Sequence, residues 1–260
     1  MTIPTAIFRF RPINRFSLAE LVSCTIWFSA VDDFNDPFEF SFRYKQLPDT
    51  PENHEWVAKM IMTSLDKPLD EILAQIELDG WENYHQIHGA RDSLISAMKT
   101  KGVCCFSAIN DSILMWGHYA DGHKGMVIEY DTSFEPFCKH LVPVRYSDNY
   151  CEFSFERVLQ NMGECIEKIV TQKSSAWSYE EEYRMIHDRD NNRLTEVIDP
   201  RSIRGIYFGA KCDEQQREIV CRLTSHLNPR YFFAELDEGQ YRVKFDEYLY
   251  TPPVPLPPNA

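Results

Sequence analysis

The chain has 260 residues, 43% of them hydrophobic and 13% aromatic, and a formal net charge of −13. That length can bury a sizeable core, as one large domain or two small ones. The acidic balance repels phosphate at long range and weighs against a non-specific nucleic-acid binder, while leaving room for a local basic groove.

The opening residues "MTIPTAIFRFRPINRF" lack the apolar run of a signal peptide. No stretch approaches the roughly 18 uncharged apolar residues of a spanning helix. Eight cysteines, at 24, 104, 105, 138, 151, 165, 212 and 221, are scattered without a C-x-x-C pair. They fit reduced core thiols better than a disulfide framework. A cytoplasmic protein without a membrane segment is the expectation.

In chain order, "TAIFRF" (5–10) predicts a strand, and "SLAELVSC" (17–24) a helix with Ser17 as its N-cap. "TIWFS" (25–29) is β-branched and aromatic, a second strand. "DDFNDPFEF" then makes a turn around Asn35, Asp36 and Pro37, whose side chains and fixed φ favour local hydrogen bonding. Residues 51–78 predict a helix opened by Pro51 and broken at Pro68, and 91–100 another helix. "GVCCFS" (102–107) predicts a strand, and "DSILMWGHYA" (111–120) a short element capped by Asp111. "GMVIEYD" (125–131) and "HLVPVRY" (140–146) predict strands. A long helix is expected over about 153–173. "EYRMI", "SIRGIYFGA", a helix from Asp213, "RYFFAEL" and "YRVKFDEY" follow.

This order is not a regular βαβ alternation and contains no dinucleotide or Walker loop. It predicts an α+β fold with mixed or antiparallel sheets and flanking helices. The expected organisation is one domain over 1–250 with a helical insertion at about 51–100. A proline-rich extended tail, "TPPVPLPP", falls within 251–260.

Three patterns carry candidate chemistry. If 182–186 is a strand, Glu182, Arg184 and Ile186 share one face, and Tyr183 and Met185 the other. Glu180 joins the Glu182 side if the extended chain starts early. Two carboxylates on one face can divide acid and base roles, although a Glu182–Arg184 ion pair is the simpler reading. Asp32, Asp33 and Asp36 could bind a divalent ion, although their spacing lacks the glycine of an EF-hand loop and a structural turn is the simpler reading. A metal-dependent nuclease would use Asp33, Asp36 and Glu39, but no convincing E-x-K strand accompanies them. Trp116, His118, Tyr119 and His123 cluster beside Ser107. The two histidines are five apart, not at the spacing of a zinc helix, so no metal is predicted. Cys105 with His118 is too common a pairing to indicate a thiol protease. "HQIH" (85–88) carries no reading.

The blocks "FNDPFEF", "MWGHYADGHKGMVIEYD" and "WSYEEEYRM" occur in an order that resembles the bacterial domain-of-unknown-function family 2971, from Ile7 to about Cys212. That resemblance implies an accessory or defence-associated protein, including abortive-infection systems, with a partner encoded nearby. It carries no settled activity. More distantly, the layout is similar to ADP-ribosyltransferases, which implies a split-sheet variant of the fold and NAD as substrate. It also implies a protein or nucleic-acid acceptor. In that resemblance Arg9 would hold the pyrophosphate and Ser29 the nicotinamide ribose. Glu182 would accept a ribose hydroxyl and Glu180 would position the acceptor. Phe34, Trp116 or Tyr119 would stack on nicotinamide. The expected cleft takes in Arg9, Ser29, Asn35, Asp36, the Trp116–His118–Tyr119 segment and Glu182. The usual Ser-Thr-Ser strand is represented by Ser29 alone. A non-catalytic sensor or interaction module is the rival reading, and the nuclease the third.

Overall fold

Alternation along "AIFRFR" decides which side of a sheet each residue of that strand serves. In the computed structural model, which describes residues 3–87, 89–189 and 194–251, this segment is the strand Ala6–Arg11 at the middle of a nine-stranded sheet. Across the sheet run Val243–Glu247, Arg230–Leu236, Ile203–Phe208, Met126–Asp131, Ala6–Arg11, Lys101–Ser107, Glu182–Asp188 and Leu141–Pro143. Ser29–Ala30 pairs with Lys101–Ser107 off this path. Ala6–Arg11 is antiparallel to both of its neighbours. Ile203–Phe208 and Arg230–Leu236 run parallel, joined through the helix Glu214–Thr224. The fold is α+β with a mixed sheet.

One face of this sheet presents Ile7, Cys104, Phe106, Ile128, Tyr130 and Met185. Leu21 of the helix Arg15–Ser23, and Val220 and Cys221 of Glu214–Thr224, pack onto it. The opposite face presents Phe10, Val127, Tyr207 and Ala234, with Phe8 and Phe232 partly buried beside them. The short helix Ile113–Tyr119 lays Met115 and Trp116 on this second face. Its cap is Ser112, whose hydroxyl accepts from the Met115 amide, rather than the expected Asp111.

Contacts divide the chain into two units. The sheet belongs to the first, which spans 1–30, 102–146 and 175–260. The second spans 31–101 and 147–174. Its helices are Pro51–Leu65, Leu69–Asp79, Trp81–Ile87, Ala90–Lys99, Phe155–Gln160 and Met162–Val170, with a parallel strand pair, Phe42–Lys45 and Cys151–Ser154. Pro51 opens its helix as expected, after Thr50, which caps the Asn53 amide.

Local chemistry explains where the element boundaries differ from the sequence reading. Asn14, not Ser17, caps the first helix. Its side chain accepts from the Phe16 and Ser17 amides while the Ser17 hydroxyl accepts from the Asn14 amide, a reciprocal capping box. The single helix expected over 153–173 is two, parted at Asn161. Asn161 sits at φ −152°, outside helical backbone, and has Gly163 two residues on, and neither residue type favours a helix interior. "TIWFS" is split at Phe28 into Thr25–Trp27, which pairs with Thr195–Val197, and Ser29–Ala30. Of the proline-rich tail, the part from residue 252 onward lies outside the described residues.

Burial places two testable loads on this unit. Trp116 is fully buried, its ring edge-on to Phe10 and its indole N–H donating to the Asn110 carbonyl at 2.7 Å. Trp116→Ala should cost about 3–5 kcal/mol, read by urea denaturation. Glu20 accepts from Arg9 at 3.1 Å and from Arg11 at 3.0 Å, and its side chain is 8% exposed. Glu20→Ala leaves two guanidinium groups without that carboxylate, and a loss of about 3–5 kcal/mol is expected in the same measurement.

Candidate functional site

The run "YEEEYR" resolves into three glutamates with three different surroundings. Residues Ser175–Glu180 form a 3-10 turn, and Glu181 follows at φ +43°. That left-handed residue breaks the turn: its amide donates to the Ser178 carbonyl and its carbonyl accepts from the Ala108 amide. Glu181 itself is exposed. Glu182 then starts a strand, and the alternation anticipated from sequence is present. Tyr183 and Met185 pack on the helix-covered face, so Glu182 and Arg184 point to the opposite one.

Glu182 and Arg184 close on each other. Arg184 donates Nε–H to Oε1 at 2.7 Å and Nη2–H to Oε2 at 3.0 Å. The two side chains are 4% and 0% exposed. This is the bidentate geometry that holds a guanidinium and a carboxylate most firmly. Glu180 is also buried, and its carboxylate accepts from the Tyr119 hydroxyl at 2.7 Å. Its carbonyl accepts from the Ser107 hydroxyl at 2.6 Å. Beside this pair lie His118, Tyr119, Trp177 and Tyr179, with ring separations of 6.2 Å for His118–Tyr119, 6.4 Å for His118–Trp177 and 6.0 Å for Trp177–Tyr179. Tyr119, Trp177 and Tyr179 are half-buried and His118 is exposed.

Arg9 occupies the other side of the sheet. It alternates with Phe8 and Phe10, its guanidinium lies 5.9 Å from the Phe106 ring, and it donates to Glu20 and to the Trp27 carbonyl at 3.0 Å. The expectation that Arg9 and Glu182 converge on one hollow is therefore not met: strand parity puts them on opposite faces. Ser29 pairs with Val103, and opposite residues of an antiparallel pair point the same way, so Ser29 shares the Glu182 face. Trp116 is enclosed core and offers no surface for a ring to stack on. Asn35 and Asp36 belong to the second unit. There Asp36 makes the anticipated turn: its carboxylate accepts from the Phe38 amide at 2.9 Å and its carbonyl from the Glu39 amide at 3.0 Å. Among the described residues no group of three His, Cys, Asp or Glu converges as a metal site requires, so the Asp33, Asp36 and Glu39 set has no geometric support.

A second carboxylate–phenol pair was not anticipated. Tyr207 donates its hydroxyl to Glu129 at 2.6 Å, and its ring stacks on Phe232 at 4.4 Å. Burial, then the hydrogen bond to Glu129, push the Tyr207 phenol upward, so it remains a donor at neutral pH. Glu129 is opposite Phe8, which is opposite Ser107, which bonds to Glu180. The signal in the sequence was a lone acid inside the apolar strand "MVIEYD", where a charge needs a partner.

The block "MWGHYADGHKG" is explained by backbone packing. His123 sits at φ +70° with its amide on the Trp116 carbonyl, and the Gly125 amide donates to Ala120. A Cβ on Gly125 would lie 2.3 Å from the Arg11 carbonyl oxygen, so the turn can close only with glycine there.

Two measurements check this description. Glu182→Gln should lose about 3 kcal/mol of stability, and replacing both Glu182 and Arg184 by methionine should recover most of it, because the buried charge left behind is the main penalty. Among the thiols, Cys138 is exposed, while burial pushes Cys104 and Cys212 up to about 11 and Cys221 up to about 12. Only thiolate reacts, so native alkylation at pH 8 followed by peptide mass analysis should label Cys138 ahead of those three.

Residues 115–185, which include Tyr119, Glu129, Glu180 and Glu182, match the model of a family described as a protein of unknown function (DUF2971). No curated protein and no solved structure matches the chain.

Proposed function

We propose that this chain is a non-catalytic recognition module, working with a partner protein in a bacterial defence system. The observation that carries this reading is the internal pairing of the groups that NAD chemistry would use. Arg9 is engaged by Glu20 on one face of the sheet, and Glu182 by Arg184 on the other. Freeing either charge means breaking a buried pair, which costs roughly 3–5 kcal/mol before any ligand is bound. Side chains so held serve as scaffold, and recognition falls to the more accessible surfaces. The match over 115–185 to a family of unknown function is compatible with this reading and adds no chemistry to it.

One observation favours ADP-ribosyl transfer or NAD cleavage as a second reading. Glu180 lies with Tyr119 beside the half-buried rings of Trp177 and Tyr179. A carboxylate next to aromatic surfaces is the combination that would receive a nicotinamide ring and stabilise the positive charge left as it departs. In that reading Glu180, rather than Glu182, is the residue that acts, and Arg9 contributes to stability alone.

Incubation of the purified chain with NAD, with and without protein, RNA and DNA acceptors, separates the two. The recognition reading expects no nicotinamide release above buffer. Release that falls at least tenfold in Glu180→Gln, with the melting temperature retained, would establish the enzymatic reading instead.

A further inference from the structure

The two edges of the nine-stranded sheet differ in chemistry. One edge strand, Leu141–Pro143, ends in a proline, which has no N–H to offer a further strand. The other, Val243–Glu247, contains no proline, and among the described residues no strand pairs with its outer side. Its register with Arg230–Leu236 runs without a bulge. The ladder continues past both ends: the Asp237 amide donates to the Arg242 carbonyl at 3.1 Å, and the Tyr248 amide to the Tyr231 carbonyl at 2.8 Å. Arg242 and Tyr248 therefore turn their backbone groups inward. By alternation Lys244 and Asp246 do the same, and Val243, Phe245 and Glu247 turn N–H and C=O outward.

Side chains along this edge, "YRVKFDEYL" (241–249), are ordered by charge. Arg242 and Lys244 precede Phe245, and Asp246 and Glu247 follow it. Lys244 lies 2.7 Å from Asp237, but its side chain is 54% exposed and an ammonium has three N–H groups to give. Asp246 is exposed and forms no hydrogen bond or ion pair among the described residues. Tyr241 and Leu249, at 99% and 84%, are the two most exposed large apolar side chains among those residues. Each stands four positions from Phe245, on opposite sides of it. Outward-turned backbone groups flanked by bare apolar side chains favour pairing with another strand.

We propose that this edge binds a second copy of the chain, antiparallel, about a two-fold axis at Phe245. In that register Phe245 meets its counterpart and Val243 meets Glu247 of the second copy, so the outward N–H and C=O groups pair with one another. Lys244 falls opposite Asp246 and Asp246 opposite Lys244. These are the non-hydrogen-bonded positions, where facing side chains approach most closely. Tyr241 falls opposite Leu249 at both ends. The charges select this register. A slip of two residues sets Lys244 on Lys244 in one direction and Asp246 on Asp246 in the other, and a slip of one sets outward groups against inward ones. The inference goes beyond the recognition reading and does not depend on it.

Sedimentation velocity of the full chain tests it. At about 100 μM, where a micromolar dissociation constant leaves mostly dimer, a species of twice the 30.6 kDa chain mass is expected. Asp246→Lys sets lysine against lysine, and Lys244→Glu sets acid against acid. Each should weaken self-association at least tenfold with the melting curve retained. An equimolar mixture of the two variants should recover the dimer, because every facing pair is then of opposite charge. Leu249→Asp, which alters an exposed side chain outside the strand, should also weaken it. If Lys244→Glu fails to fold, Asp246→Lys and Leu249→Asp decide. A wild-type monomer at that concentration, a dimer unchanged in folded Asp246→Lys, or a mixture of folded variants that stays monomeric each overturns the proposal. None of these outcomes bears on NAD turnover, so this result and the recognition reading stand or fall separately.

Discussion

One carboxylate, Glu20, ties the first unit together. It reaches from the helix Arg15–Ser23 to two arginines of the central strand, and Arg9 continues to the Trp27 carbonyl. Helix, strand and the ribbon at Thr25–Trp27 are thereby held by charge-assisted bonds in a largely water-free setting. Such an arrangement is geometrically demanding, because each guanidinium must find its acceptor in the right plane. It also commits the side chains involved. An arginine that closes the fold in this way is a poor candidate to hold a phosphate as well.

The same economy operates on the other side of the sheet. Arg184 has no exposed surface and is engaged by both oxygens of Glu182. Glu180 and Glu129 are each joined to a tyrosine hydroxyl. The first unit thus contains several buried ionisable groups, and the low dielectric around them makes each pair strong and each separation expensive. Half-buried aromatics lie beside these pairs: Tyr119, Trp177 and Tyr179 near Glu180, and Phe8 and Phe232 near Tyr207. In the second unit a buried pair is also present, Lys173 with Glu39 at 3.7 Å, and exposed Arg91 and Lys99 stand at the edge of a recess lined by Phe40, Phe42 and Ile95.

Much of the scaffold was legible from residue order. The apolar strands, Pro51 at a helix start, the interruption at Pro68 and the turn at Asp36 each follow from interactions within a few residues, and the structure contains them. The parity of Glu182, Tyr183, Arg184 and Met185 was likewise readable, since side chains along a strand alternate whatever the strand pairs with. Boundaries were less legible where two local devices compete. Asn14 and Ser17 can both cap, and the reciprocal capping box uses both. The break at Asn161 depends on a backbone conformation that helical periodicity in Val158, Ile166 and Ile169 conceals. The candidate site was the least legible part. Glu180 with Tyr119, and Glu129 with Tyr207, are joined across 61 and 78 residues, and no spacing rule relates such positions.

By itself the sequence determined the fold class, most strand and helix segments, the turn around Asp36 and the side of its strand on which Glu182 lies. These are consequences of short-range sterics and hydrogen bonding, which act before distant segments meet. Only the tertiary structure decided that Arg9 and Glu182 fall on opposite faces of one sheet, that Trp116 is core, and that Glu39 lines a recess. Those outcomes depend on which strands become neighbours and in what register. That choice is made by the burial of whole faces, and it is not written in any single stretch of the chain.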